Sequence, residues 1–235
     1  MSSSHHRVAL VLIQTTFNEL ASTPPNPSPE KGRYHTNTLY IFRIAPLILR
    51  IQQLIIRLLT LFEVLFYLVS LPPFQSAISS SASSVFTPQL VVTPLFLMGV
   101  LLVISGAVAR LSAFRSLGPL FTFDLTIHPA HRLITTGLYS WVRHPAYTGS
   151  LAIVAGLGCS HLSGGSLLAS LPSLAGWGSW VELSLGVFGA IWWLWTLGIG
   201  LSRVEAEDKQ MRLLFPGEWD VYAERVRWWF IPGLV

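Results

Sequence analysis

Four long apolar stretches, separated by polar or Gly/Ser/Pro-rich segments, set the plan of this chain. Between Leu58 and Ala109 the only charge is Glu63, and between His144 and Ser202 it is Glu182. A bilayer core takes roughly 20 apolar residues per helix, so the pattern predicts membrane spans at 53–71, 90–109, 146–162 and 183–201. Residues 1–38 are polar, with a Ser/Pro run at 21–29, and read as a flexible tail; 39–235 reads as the membrane domain. No cleavable targeting signal is read, so the first span is expected to direct insertion. Arg43, Arg50 and Arg57 interrupt the first stretch at seven-residue spacing, which places them on one helical stripe. The first half of that stretch either lies along the interface with its arginines reaching headgroups or continues as one long packed helix. After the fourth span, 202–222 reads as helical and amphipathic. Residues 163–178 read as a Gly/Ser loop, and the aromatic run at 228–232 suits an interface. The fold class is therefore an all-α integral membrane protein with about four to five transmembrane helices.

Composition agrees with this plan. Only 11% of the 235 residues are charged and 51% are hydrophobic, against about 25% charged in a soluble domain. The net charge of +4 is spread among the spans and not gathered on one face, which argues against nucleic acid. Its distribution orients the chain instead. The segments 72–89 and 161–180 carry no Lys or Arg, whereas 110–144 carries Arg110, Arg115, Arg132 and Arg143. By the positive-inside rule the middle loop and the C-terminal segment face the cytoplasm. Cys159 is the only cysteine and reads as a packing residue; a Cys-rich metal site is excluded. His128 and His131 are separated by Pro129, which argues against a zinc pair on one helix face.

Two polar clusters stand at the ends of apolar stretches, where costly polar groups point to function. The first is Arg143-His144-Pro145-Ala146-Tyr147-Thr148-Gly149, with Pro145 placed to open a helix whose first-turn N–H groups favour an anionic group. Taken singly, a His at a helix start is more often a cap or a satisfied polar residue, and an Arg there more often a headgroup anchor. Gly149, Gly156 and Gly158 are expected to let a helix or ligand approach closely. The second cluster follows the fourth span and contains Arg203, Glu207 and Asp208. Arg203 and Glu207 are one helical turn apart and read either as an ordinary ion pair or as two halves of a site, one for an anion and one for a cation.

Together these pieces resemble the membrane methyltransferases typified by isoprenylcysteine carboxyl methyltransferase. The matching residues are His131-x-Leu133-Ile134-Thr135-x-Gly137-x-Tyr139, then Arg143-His144-Pro145-x-Tyr147-x-Gly149, then Arg203 with Glu207-Asp208, and 215–222 with Val226. The resemblance covers about 90–232. It departs at Asp208, where a second Glu is usual, and at Pro216-Gly217-Glu218. It implies an S-adenosylmethionine pocket on the cytoplasmic side, built from the middle loop and the C-terminal helices. By that likeness His131, Arg132, Leu133, Ile134, Tyr139, His144, Pro145, Ala146, Tyr147 and Glu207 hold the cofactor, with Asp124 as a further polar contact. Arg203 grips the substrate carboxylate, and Glu207 and Arg143 complete the catalytic set. The partners implied are prenylated protein C-termini in the endoplasmic reticulum membrane, without metal.

The chemistry is consistent with so few groups. An α-carboxylate with pKa near 3.5 is ionised at neutral pH, so its methylation needs alignment and desolvation but neither a base nor a metal. Trp192 and Trp195 on the fourth span are expected to line the route of the prenyl chain. A phospholipid amine is protonated at pH 7 and offers nothing for Arg203 to hold, which sets a phospholipid N-methyltransferase second. A non-catalytic membrane protein retaining the cofactor fold is the reading from another class, and a sterol-reductase-like protein is disfavoured by the short chain.

Overall fold

The computed structural model describes residues 2–27, 32–34, 44–71, 90–174 and 180–233. They form seven α-helices: α1 (Ser2–Ser22), α2 (Ala45–Val69), α3 (Pro94–Leu117), α4 (Pro145–His161), α5 (Leu167–Leu174), α6 (Trp180–Leu214) and α7 (Glu218–Arg225). Three are long and apolar enough to cross a membrane, over Pro46–Val69, Pro94–Leu120 and Leu183–Leu214. The shorter α4 packs along α3 as the fourth apolar rod, so the all-helical membrane architecture expected from the hydropathy pattern is the one observed.

Local sequence explains the helix starts. Thr93 caps α3, its hydroxyl accepting from the Phe96 N–H at 3.1 Å, and Pro94 occupies the first turn, where its missing N–H costs nothing. Pro145 does the same for α4. The α3 helix ends at Gly118, whose φ of +53° favours a residue without Cβ. At about 1.5 Å per residue, the 35-residue α6 measures about 52 Å, well beyond a hydrocarbon core of about 30 Å. Its apolar half faces outward at Leu183, Phe188, Ile191 and Leu194, all exposed; its polar half projects past the apolar stretch.

The centre of the bundle is the antiparallel contact of α3 with α4, made at two pairs of glycines. A Cβ on Gly99 would stand 2.6 Å from the Gly156 carbonyl, and one on Gly106 would stand 2.6 Å from that of Gly149. Backbones meet there without side chains between them, a packing mode suited to apolar surroundings. Gly149 and Gly156 thus play the part expected of them. Gly158 does not, since a Cβ there would meet open space.

Several expectations are corrected. The segment read as a flexible tail is the helix α1 over most of its length, because one face carries Val8, Val11 and Ala21, all buried against α2 and α3. The polar positions of α1, with Arg7 and Gln14 on that same stripe, find partners on α2, on α4 and before α3. Arg7 bonds Glu63 through Nε (3.0 Å) and Nη2 (3.1 Å) and the Val91 carbonyl through Nη1 (2.7 Å). Gln14 meets His161 at 2.9 Å, Thr15 meets Thr60 at 2.6 Å, and Arg57 reaches Glu19 at 2.5 Å. Mean polarity hid this helix, since Arg7, Gln14 and Asn18 are internal. Arg110 and Arg115 lie on α3 and not in a loop, because the helix runs past the apolar stretch to Leu117. The Gly/Ser segment 163–178 contains α5, and 183–214 is one unbroken helix. The interfacial expectation for 39–43 and the non-basic segment 72–89 lie outside the described residues.

Candidate active site

The geometry begins at the first turn of α4. The two N–H groups that lead into it are bound by the segment after α7: the Arg143 N–H donates to the Trp228 carbonyl at 2.9 Å and that of the N-cap His144 to the Trp229 carbonyl at 3.0 Å. The Thr148 hydroxyl donates to the Phe230 carbonyl at 2.7 Å. This stitches the 143–149 run to the C-terminal segment and brings both to the polar half of α6.

Asp208 is the hub on α6. Its carboxylate accepts from Arg143 Nη1 at 2.8 Å, His144 Nε2 at 2.7 Å and Trp229 Nε1 at 3.0 Å. Arg143 also donates to the Arg227 carbonyl at 3.2 Å. One turn of bonds away, His144 Nδ1 lies 3.2 Å from Glu207 Oε2. Burial opposes the charged imidazole, but the bonds to Asp208 and Glu207 outweigh it and hold the His144 pKa above its ordinary value. Protonated His144 donates from both nitrogens, each to its own carboxylate.

Arg203 and Glu207 do not form the direct ion pair that their spacing allows. The Tyr147 hydroxyl stands between them, accepting from Arg203 Nε at 3.0 Å and donating to Glu207 Oε1. Arg203 Nη2 donates to the Phe123 carbonyl, and no bond to a described residue engages Nη1. The guanidinium is thereby aimed, with donor capacity left over.

These groups open on one cavity of about 260 Å³. Of the residues singled out from the sequence, the cavity is lined by His131, Arg132, Leu133, Ile134 and Tyr139 from the middle loop. From the α4 entry it takes Arg143, His144, Ala146 and Tyr147, and from α6 Trp192, Trp195, Arg203 and Glu207, with Asp124 beside them. Pro145 is buried but outside the lining; its role is the helix start. Burial, with a smaller contribution from His128, lowers the His131 pKa and favours its neutral form. Burial raises the phenol pKa of Tyr139, so that ring stays protonated. The Tyr222 hydroxyl donates to the Tyr139 carbonyl at 2.8 Å, joining α7 to the middle loop.

Arg110, Trp219 and Tyr34 are among the lining residues that sequence reasoning missed. Arg110 enters from α3, held by the Ala21 carbonyl (2.8 Å from Nε) and by Ser150. A lone arginine at the end of a span is the signal that could have found it. Trp219, 3% exposed, also borders the cavity, and its Nε1 donor lacks a partner among the described residues. Tyr34, from the segment read as a tail, carries no sequence signal. Among the described residues no three His, Cys, Asp or Glu side chains gather as metal ligands.

Residues 98–169, which span α3, the middle loop, α4 and the start of α5, match the isoprenylcysteine carboxyl methyltransferase family. Two curated proteins from rice, Oryza sativa subsp. indica and subsp. japonica, each described as a probable protein-S-isoprenylcysteine O-methyltransferase, are 29% identical over 131 residues. The match covers 55% of this chain and 57% of each relative, so the chain accounts for little more than half the length of those relatives. No solved structure matches. The matched segment contains Arg110, the middle-loop wall and the α4 entry, while Arg203, Glu207, Asp208 and Tyr34 lie outside it.

Proposed function

We propose that this protein transfers a methyl group from S-adenosylmethionine to the C-terminal prenylcysteine α-carboxylate of prenylated proteins. It would act from the endoplasmic reticulum membrane with the cavity facing the cytoplasm. The observation that carries the reading is the mixed lining of the cavity. Arg203, Glu207 and Tyr147 line it together with the apolar Trp192, Trp195, Ile199, Ile153 and Leu49 on helices α6, α4 and α2. A substrate with a charged end and a long apolar tail satisfies both.

The residues also suit the cofactor. Its sulfonium and ammonium cations call for a carboxylate, and Glu207 lines the cavity with His144 and Tyr147 fixing it. Its adenine calls for flat apolar walls and a donor, and Leu133, Ile134, Tyr139 and Trp219 stand together in the lining, Trp219 with its unpaired N–H. When bound, the cofactor supplies an electrophilic methyl group. The protein's own residues do the rest. Arg203 draws in the carboxylate, and Arg110 adds positive potential from the opposite helix. Tyr147 fixes the spacing of Arg203 and Glu207, and the apolar walls exclude water and strengthen these interactions. Arg143 is a positioning residue in this scheme, since its guanidinium is committed to Asp208 and the Arg227 carbonyl.

Membranes containing the protein, given radiolabelled S-adenosylmethionine with N-acetyl-S-farnesylcysteine and phosphatidylethanolamine side by side, test the proposal. Base-labile label in the farnesylcysteine supports it. Label in the lipid alone reassigns the site to amine methylation, and label in neither removes both.

A further inference from the structure

The described residues after α1 are bonded at two places to the chain that follows α3. Asn26 Nδ2 donates to the carbonyls of Gly118 (2.8 Å) and Phe121 (2.9 Å). Further on, the Tyr34 N–H donates to the Leu125 carbonyl at 2.9 Å and the Ile127 N–H to that of Gly32 at 3.0 Å, around an antiparallel bridge between Arg33 and Thr126. Arg33 also pairs with Asp124 at 3.3 Å. The loop that receives these bonds is the one whose Phe123 carbonyl anchors Arg203. Tyr34 is therefore fixed to the same short piece of backbone as the guanidinium.

The side chain of Tyr34 lines the cavity and is half-buried. Its hydroxyl bonds no described residue, and it lies close enough to Glu207 and Arg203 to feel both charges. Burial first, and then Glu207, raise its pKa, so the phenol keeps its proton and acts as a donor. The two carboxylate oxygens of Glu207 already have partners in Tyr147 and His144. A neutral donor beside a cation with spare donor capacity is complementary to an anion.

We infer that Tyr34 is a substrate-positioning residue, its hydroxyl donating to the acceptor carboxylate alongside Arg203. The inference rests on the prenylcysteine reading above. It gives a segment outside the matched family region a share in recognising the acid, and it makes the site select an anionic chain end over an esterified one: the reaction product, a methyl ester, loses that attraction.

The test uses the full chain purified in detergent and the isosteric variant Tyr34→Phe. Dissociation constants are measured for N-acetyl-S-farnesylcysteine, for its methyl ester and for S-adenosylhomocysteine. Tyr34→Phe should weaken the free acid about tenfold, the size of one lost hydrogen bond to a charged group. The ester and S-adenosylhomocysteine should stay within about twofold, and the KM for the acid should rise more than kcat falls. An unchanged acid constant, equal weakening of acid and ester, or weakening confined to S-adenosylhomocysteine each overturns the role of Tyr34. A melting midpoint matched to wild type keeps a folding defect from counting as support. If wild type binds neither acid nor ester, the prenylcysteine reading has failed and this inference falls with it; an acid-over-ester preference undiminished in Tyr34→Phe removes Tyr34 alone.

Discussion

Arg7 with Glu63 and Arg203 with Glu207 are both arginine–glutamate sets enclosed by helices, yet they are built on opposite plans. Arg7 spends all three donor nitrogens on Glu63 and the Val91 carbonyl, and both residues are at most 1% exposed. Nothing is left for a ligand. Arg203 and Glu207 are kept apart by the Tyr147 hydroxyl, and both border the cavity. The contrast teaches that burial and charge alone do not mark a site. What marks it is a charge whose geometry is fixed by some of its bonds while others remain open.

The largest effect should come from breaking the closed pair. Glu63→Leu leaves Arg7 buried without its counter-charge and should cost about 3–5 kcal/mol of stability, read as a large fall in melting midpoint in detergent. The double change Arg7→Met with Glu63→Leu should recover most of it, with methyl transfer per folded molecule unaltered. Continued instability of the double variant would mean that the pair specifies the fold and does not merely balance itself.

Breaking the open pair should act on chemistry instead. Arg203→Ala should lower kcat/KM for carboxyl methylation by about 100- to 1000-fold, the range for removing a donor aimed at a reacting oxygen, while S-adenosylhomocysteine still binds. Loss of both functions would make Arg203 part of the scaffold, like Arg7. A smaller effect is expected on the apolar side of the cavity. Trp192→Ala and Trp195→Ala should each raise the KM for farnesylcysteine by about tenfold, equivalent to about 1.5 kcal/mol of apolar burial; unchanged kinetics would move the lipid route elsewhere.

The smallest expected effect is a pH dependence. His144 titrates above its unfolded value when folded. Its contribution to stability is complete below about pH 6.5, the unfolded value, and is lost as pH rises through the folded one. His131 is shifted downward, so its contribution is present above the unfolded value and lost on the acid side. The melting midpoint of wild type should therefore fall on the alkaline side of pH 6.5, and His144→Gln should flatten that limb while leaving the acid limb in place. An equally sloping alkaline limb in the variant would take the proton away from His144.

Hydropathy located the four apolar rods, because spans are written in composition. The short motifs located most of the cavity wall, because His131–Tyr139 and Arg143–Tyr147 are contiguous and placed at a span boundary. Three things escaped for physical reasons. The α1 helix pairs its polar residues inside the bundle, so its mean polarity resembles that of a tail. Arg110 directly follows an apolar run and looks like a loop residue until the helix is seen to continue. Tyr34 reaches the cavity through a single antiparallel bridge, and pairing at that range has no periodic trace in sequence.

The covering of the α4 entry by the carbonyls of Trp228, Trp229 and Phe230 also sets an order of biosynthesis. All four apolar rods are translated before those residues are, and α3 and α4 are more than 60 residues ahead of them. The α3–α4 core can thus enter the membrane while the α4 entry still lacks these hydrogen-bond partners, so the protein becomes competent for its ligand only when the segment after α7 folds back.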